Sequence, residues 1–141
     1  MGEQTMQIKQ LHGTEEELYR LVAPLVMDPV VLKQNYNFPF RTSVRFEWLV
    51  ALGEEEEVLG FLPTECKRTE RVINNYYVKG KEAEILSALL TVAVKVFEDR
   101  VLAAVVFKED VDTFRSLGFT EEKAWTRYVR MRKEPKHGEK G

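Results

Sequence analysis

The stretch from residue 71 to residue 107 reads RVINNYYVKGKEAEILSALLTVAVKVFEDRVLAAVVF, and its pattern decides the fold of this 141-residue chain. Residues 71–78 are rich in β-branched and aromatic side chains, which is typical of a strand. From residue 81 to about residue 98 the apolar residues recur with a helical period. Residues 101–107 form a continuous apolar run, which favours a strand buried on both faces. The stretch therefore predicts a strand, a long helix and a second strand.

The sequence before this stretch predicts two more strands next to the first one. Residues 46–52 and 58–66 are apolar or alternating runs, and Gly53 and four glutamates separate them. Such spacing is typical of a β-hairpin whose charged turn faces solvent. Pro63 predicts that the second of these strands is bulged or bent near its end. Residues 46–78 therefore predict an antiparallel meander of three strands.

The N-terminal segment predicts a strand followed by an amphipathic helix. Residues 6–11 alternate between polar and apolar side chains, as a half-buried strand does. Thr14 and Glu17 form a T-x-x-E capping box, which is a start signal for a helix. Pro24 lies within the helical pattern that follows, so we expect it to kink this helix or to end it early.

A second start signal follows, because Asp28 comes directly before Pro29, and it predicts a short helix. Residues 36–43 then combine three aromatic side chains with Pro39 and show no clear period. We interpret this segment as an ordered loop.

The C-terminal part predicts a short helix and a closing strand. Asp110 is suited to start this helix, and Gly118 stands where a left-handed residue ends one. Residues 119–132 predict a final strand region, and we expect the polar residues 134–141 to be a disordered tail. Because the sequence shows no repeat and no linker, we expect residues 1–133 to form a single domain.

This order of elements predicts the fold class. An antiparallel meander that continues into a strand-helix-strand crossover gives a mixed, mostly antiparallel sheet. We therefore predict an α+β (three-layer α/β) protein with helices on both faces of this sheet.

The order of elements resembles the fold of the GNAT (GCN5-related N-acetyltransferase) superfamily. The best local match is FRSLGF at residues 114–119, since members commonly end the short helix after their fifth strand with a tyrosine, a few residues and Gly-Phe. Tyr77 and Val78 resemble the end of the family's fourth strand, and Leu89 with Leu90 resembles the apolar ridge of the next helix. The resemblance covers residues 6–132 and implies an acyl-CoA-dependent N-acyltransferase.

The loop that binds the acyl-CoA pyrophosphate in this family departs from its Q/R-x-x-G-x-G/A pattern. Lys81 keeps the first, cationic position, but Glu84 and Leu86 stand at the two glycine positions. The carboxylates of Glu82 and Glu84 suit the positive end of a helix, and there they repel a second anion. The resemblance therefore implies acetyl-CoA or another acyl-CoA as cofactor, without a metal, on a degenerate loop. The residues expected to bind it are Tyr77, Val78, Lys79, Gly80 and Lys81.

The catalytic and acceptor positions are also incomplete. Phe114 stands where the family's tyrosine often protonates the departing thiolate, and a phenyl ring has no proton to give. Glu65 is the best candidate for a general base, because it is expected near the parting between the fourth and fifth strands of the family. A small-molecule or protein amine would be the acceptor. Its candidate binding residues are Tyr36, Phe38, Phe40 and Asn75.

Composition excludes several other classes of function. The formal net charge is −2, so nothing global attracts nucleic acid. No apolar stretch approaches the roughly 20 residues that span a bilayer, and the N-terminus has no signal-peptide pattern. Cys66 is the single cysteine, and neither His12 nor His137 has a neighbour that suggests a metal site or a triad. We expect a cytoplasmic protein that is a monomer or a homodimer.

Three functions remain open from the sequence. The first is an acyl-CoA-dependent N-acyltransferase, favoured by Lys79, Gly80 and Lys81. The second is a catalytically inactive GNAT-like module that binds a protein partner or another ligand, favoured by Glu84 and Phe114. The third is an unrelated α+β binding domain with the same order of strands.

Overall fold

A computed structural model describes residues 6–136 of the chain, and one sheet of eight strands organises this range. The strands lie in the spatial order β1-β2-β3-β4-β6-β8-β7, and β5 pairs with β3 beyond the end of β4. Every pairing is antiparallel except that of β4 with β6, which is parallel. The strands are β1 (Gln7–His12), β2 (Phe46–Leu52), β3 (Val58–Cys66), β4 (Arg71–Ile73), β5 (Tyr77–Val78), β6 (Leu102–Phe107), β7 (Thr120–Ala124) and β8 (Tyr128–Lys133).

Helices cover both faces of the sheet, as predicted. On one face Leu86, Leu89 and Leu90 pack with Leu49 and Leu62 of the sheet. On the other face Leu18, Leu21 and Val22 pack with Trp48 and Phe61. The helices are α1 (Glu16–Val26), α2 (Pro29–Gln34), α3 (Ala83–Val96) and α4 (Val111–Ser116).

Two helix ends form as the sequence predicts. The carboxylate of Asp28 accepts a hydrogen bond of 2.8 Å from the backbone N–H of Val30, which caps the start of α2. Gly118 follows α4 with a φ of +102°, a left-handed conformation that glycine adopts without a steric cost.

The start of α1 differs from the prediction. Glu15, and not Thr14, is the N-cap residue of α1, and it makes no side-chain bond to the first turn. Its carboxylate instead accepts from the backbone N–H of His12, at 2.9 Å. The helix continues two residues beyond Pro24 to Val26.

Two predicted strands are divided in the structure. The run at residues 71–78 is interrupted between β4 and β5. The region at residues 119–132 is a hairpin of β7 and β8, which turns at residues 125–127. The sequence did not predict this turn, because all five residues of β7 are exposed and show no apolar alternation that would indicate a separate strand.

The first residues of the predicted tail are hydrogen-bonded to the rest of the chain. The backbone N–H of Lys136 donates to the carbonyl of Glu98 at 2.9 Å. Residues 137–141, and His137 with them, lie outside the described range.

Candidate functional site

The two central parallel strands of the sheet diverge after three residue pairs. β4 and β6 pair from Arg71 with Leu102 to Ile73 with Ala104. Beyond Ile73, the chain continues as β5 beside β3, while β6 continues beside β8. A V-shaped parting therefore opens between β5 and β6.

A local turn at Asn74 and Asn75 produces this divergence. Asn75 has a φ of +56°, in the left-handed region that asparagine tolerates better than most residues. The side-chain oxygen of Asn74 accepts a 2.8 Å hydrogen bond from the backbone N–H of Asn75. The side chain of Asn35, which is 3% exposed, donates to the side-chain oxygen of Asn75 at 3.0 Å. The loop after α2 thus fixes the turn, and the turn ends β4.

The side chain of Tyr76 fills the parting. It is 4% exposed, and its ring centroid lies 5.3 Å from that of Phe107 and 5.7 Å from that of Phe114. Its hydroxyl donates to the carboxylate of Asp110 at 2.6 Å and accepts from the backbone N–H of Phe107 at 3.0 Å. We call the space around this side chain the cleft; it is lined by Gln34, Tyr76, Val78, Leu86, Phe107 and Asp110, among others.

The cleft has little room left. The space inside it that solvent could occupy is about 20 Å³, which is about the room one water molecule needs. The side chain of Gln34 also occupies an edge of the parting, because it donates to the carbonyl of Val78 at 3.0 Å. The chain's own side chains therefore satisfy the backbone N–H of Phe107 and the carbonyl of Val78.

Burial sets the protonation states of the two groups in the cleft. Burial raises the pKa of the Tyr76 hydroxyl well above its ordinary value, and the neighbouring carboxylate of Asp110 raises it further. Burial also raises the pKa of Asp110, against the hydrogen bond from Tyr76, which lowers it. The raised pKa of Tyr76 keeps its hydroxyl protonated, so the hydroxyl is the donor in its bond to Asp110.

The five residues expected to bind the cofactor face two different openings. Tyr77 and Lys79 line a groove on the side of α1 and α2, whereas Val78 and Lys81 line the cleft. Gly80 lies between them with a φ of +65°. Both lysines are engaged in ion pairs: Lys79 with Glu57, and Lys81 with Glu109 at 3.4 Å.

The start of α3 is acidic. Glu82 is its N-cap residue and lines the cleft, and Glu84 lies in the first turn. Glu109 and Asp110 line the same cleft from the other side. The side chain of Leu86, at the second glycine position of the family pattern, is a core residue that is 1% exposed. These residues do not fit a CoA diphosphate, because carboxylates occupy the positive end of the helix and neither glycine position of the family pattern holds a glycine.

Phe114 has no access to solvent and packs against Phe119 with ring centroids 5.3 Å apart. The hydroxyl that stands in the parting belongs to Tyr76, which comes from the other side of it. Successive side chains along a strand point to opposite sides. Tyr76 accordingly lies in the cleft, whereas Tyr77 lines the groove beside α1 and α2. Asp110 precedes α4, as predicted, but its side chain makes no capping bond there and accepts from Tyr76 instead.

The opposite side of the parting carries an open groove of about 370 Å³. Of the four candidate acceptor residues, Phe38 and Asn75 line this groove. Tyr36 lies beside it, with its ring centroid 5.8 Å from those of Phe107 and Tyr128. Phe40 turns away and packs on Phe61. The open groove is lined by Phe38, Pro39, Arg41, Asn74, Asn75, Val105 and Tyr128.

Glu65 lies on β3 at the closed end of the parting. Glu65 pairs with Val72 of β4. It lies four residues along β3 from Phe61, which is a separation of about 13 Å along the strand. Its side chain is 16% exposed and forms ion pairs with Arg41 at 3.4 Å and Lys67 at 3.8 Å. The structure therefore brings Glu65 to the open groove through Arg41, and not to the hydroxyl of Tyr76.

His12 and Cys66 are engaged locally. The imidazole of His12 lies 2.9 Å from the carboxylate of Glu47. The hydrogen bond from Arg100 lowers the pKa of the Cys66 thiol. Across residues 6–136, no group of three or more His, Cys, Asp or Glu side chains is arranged to hold a metal ion. In the same range no helix has both the length and the apolar character that crossing a membrane requires.

Comparison with solved structures assigns the fold. GCN5 of Tetrahymena superposes with a TM-score of 0.70, at 13% identity over 92% of this chain and 96% of that one. The ribosomal-protein-S18-alanine N-acetyltransferase of Escherichia coli gives 0.68, at 17% identity over 93% and 94%. The phosphinothricin acetyltransferase of Sinorhizobium meliloti, solved with AcCoA, gives 0.65, at 16% identity over 97% and 92%.

The chain therefore has the GNAT fold, which confirms the fold predicted from the order of its elements. No protein-family model matches the sequence. No curated protein matches it either.

Proposed function

We propose that this chain is a catalytically silent, cytoplasmic GNAT-fold module that binds a small ligand or a protein partner through the open groove. The observation that carries this proposal is the position of Tyr76. Its side chain occupies the parting and bonds to both Phe107 and Asp110. An extended cofactor arm needs this space, and the remaining 20 Å³ does not hold one.

The charges around the cleft support the same proposal. Four carboxylates, at Glu82, Glu84, Glu109 and Asp110, surround the place where a diphosphate would lie. Lys79 and Lys81 are the cations there, and each already pairs with a carboxylate. A doubly charged phosphate group would have to displace these pairs at an acidic surface, which is unfavourable.

An acyl-CoA-dependent N-acyltransferase that acts on a small-molecule or protein amine is the second candidate. The V-shaped parting itself favours it, since strands β5 and β6 diverge even though a side chain fills the space between them. Binding of acyl-CoA would then require Tyr76 to leave the parting and Gln34 to release the carbonyl of Val78.

Calorimetric titration of the full chain with CoA and with acetyl-CoA tests the proposal. We expect no saturable heat up to millimolar ligand. The charge-reversed variant Lys79→Glu/Lys81→Glu is the matched control and should give the same baseline. Saturable binding by the natural sequence that weakens in this variant would instead support the acyltransferase.

A further inference from the structure

The polar side chains of Arg41, Asn74 and Asn75 give the open groove more hydrogen-bond donors than acceptors. The side-chain oxygen of Asn74 accepts from the backbone of Asn75, and the side-chain oxygen of Asn75 accepts from Asn35. Within residues 6–136 neither Nδ2 amino group of this pair donates to a protein acceptor. Because each amide oxygen already accepts one internal bond while neither amino group has a protein partner, the pair offers a ligand more donors than acceptors.

Arg41 adds a positive charge to these donors. Among the described residues that line the groove it is the one charged side chain, and it is 66% exposed. Its guanidinium has five N–H groups, of which one bonds to Glu65 at 3.4 Å, and its carbon also lies 5.7 Å from the ring centroid of Phe46. Most of its donors therefore remain available to a ligand.

The charged side chains next to the groove, four cations and three anions, carry a small excess of positive charge. Glu65 is shared between Arg41 and Lys67, so this cluster carries two cations and one anion. Arg127 lies over the ring of Tyr36, with its guanidinium carbon 4.4 Å from the centroid. Arg130, opposite Val105 in the register, contacts both carboxylate oxygens of Glu70 and also pairs with Glu122. An amine would meet like charge here, whereas an anion would be attracted.

The shape and walls of the groove suit a small ring. Phe38 is 55% exposed and Tyr128 stands among the lining residues with it. A volume of about 370 Å³ lies at the lower end of the range of about 300–1,000 Å³ that small-molecule sites occupy. Aromatic walls prefer offset or edge-on contact with a second ring.

From these donors, charges and walls we propose that the open groove is a binding site for a small aromatic carboxylate. The carboxylate would accept from Arg41 and from the amino groups of Asn74 and Asn75, and the ring would lie between Phe38 and Tyr128. This inference rests on the proposed function, in which the groove and not the cleft is the binding site. It assigns the site an anion, the charge opposite to that of a protonated amine acceptor.

Three probes that share a phenylethyl group test this assignment on the full chain. N-acetylphenylalanine carries the carboxylate, its primary amide is the neutral isostere, and phenethylamine is the cation. Titrations followed by amide chemical shifts should give perturbations at Phe38, Asn75 and Tyr128. We expect the carboxylate to bind about 10-fold or more tightly than the amide, since a hydrogen bond to a charged group is worth more than a neutral one.

Two variants separate the charge from the donors. Arg41→Gln removes the cation and should weaken the carboxylate about 10-fold while leaving the amide unchanged. Asn74→Asp retains the oxygen that accepts from the backbone of Asn75 but replaces the amino group by a carboxylate oxygen. It should abolish carboxylate binding without disturbing the turn. Arg115→Gln on α4, which pairs with Asp112 and Glu121 away from the groove, is the control and should change neither affinity.

The result that overturns the inference is equal affinity for the acid and the amide, tighter binding of the amine, or no binding of any probe up to its solubility limit. Failure of the proposed function looks different. It would appear as saturable CoA binding by the same sample, whatever the three probes do. Equal affinities together with silence toward CoA would remove this inference alone.

Discussion

The hydroxyl of Tyr76 joins three elements at one point. Tyr76 lies in the interruption between β4 and β5. Its hydroxyl accepts from the backbone N–H of Phe107 at the end of β6 and donates to Asp110 at the start of α4. Within a buried cleft each of these partners depends on the hydroxyl, because almost no solvent is available to replace it. A change at this atom therefore acts on stability directly.

We expect Tyr76→Phe to lower the free energy of unfolding by about 1–3 kcal/mol, because the buried N–H of Phe107 loses its acceptor. The aromatic ring and its packing on Phe107 and Phe114 remain, so the variant should keep the fold. Urea denaturation of both chains measures the difference. Tyr19→Phe is the control, since this tyrosine is 46% exposed, and it should change the value by less than about 0.5 kcal/mol. Equal losses in the two variants would contradict the assignment of the hydroxyl.

Asp110 makes stability depend on pH in a defined direction. Burial raises the pKa of its carboxyl, so the folded chain holds this proton more tightly than the unfolded chain does. The associated stabilisation is fully present below the ordinary pKa of about 3.9. It is lost as pH rises from there through the folded pKa.

Asp110→Asn removes this titration and keeps an oxygen that can accept from Tyr76. The unfolding free energy of the natural sequence, taken relative to this variant, should therefore fall as pH rises through that window. Urea titrations of both chains from about pH 3 to pH 7 measure the difference, in which the other carboxylates cancel. A difference that stays constant or rises would show that burial does not raise this pKa.

At the scale of elements, the interruption between β4 and β5 opens the parting. Asn75 fixes this interruption in two ways: its backbone is left-handed, and its side-chain oxygen accepts a hydrogen bond from Asn35 at the end of α2. We expect Asn75→Gly to lose this bond at a cost of about 0.5–1.5 kcal/mol, while the backbone conformation stays accessible. Asn75→Val should cost about 1–2 kcal/mol more than the glycine variant, since a β-branched residue resists a positive φ.

Urea denaturation of these two variants isolates the free-energy cost of the left-handed backbone conformation, because both variants lack the side-chain amide. If valine costs no more than glycine at this position, the left-handed turn is not what ends β4. The strands would then diverge for another reason, such as the packing of Tyr76 alone.

At the scale of the whole molecule, the two openings of the parting differ in the charged side chains that line them. Acidic side chains line the cleft, where an acyl-CoA would need cations. Arg41 lines the open groove, and Arg127 lies next to it over the ring of Tyr36. Two independent obstacles thus oppose CoA: a side chain that fills the space and carboxylates that repel the phosphates. Removal of either one alone should not be sufficient.

We therefore expect the combination Tyr76→Ala/Glu82→Gln/Glu84→Gln to gain CoA binding that calorimetry detects. The pair Glu82→Gln/Glu84→Gln, with Tyr76 intact, is the matched control and should remain silent. Circular dichroism checks the fold of both, and Tyr76→Leu replaces Tyr76→Ala if the smaller side chain unfolds the chain. Equal CoA binding by the pair and by the triple variant would show that Tyr76 is no obstacle.

Local patterns determined most of the elements and their order, although they missed the interruption between β4 and β5 and the turn between β7 and β8. The strands at residues 46–52 and 58–66 match β2 and β3 at both ends, and the long helix differs from α3 by two residues at each end. Asp28 and Gly118 act as the helix boundaries that the sequence indicates. Side-chain periodicity and backbone sterics act within a few residues, so the sequence alone was sufficient for them.

Contacts between distant residues decided the site. Tyr76 meets Asp110 across 34 positions, and Asn75 meets Asn35 across 40. The alternation of residues 74–77 left two possible faces, and the choice between them required the position of the α2 loop. Which side chain fills a space, and which cation already has a partner, is set by packing in three dimensions. These facts therefore became available only from the tertiary structure.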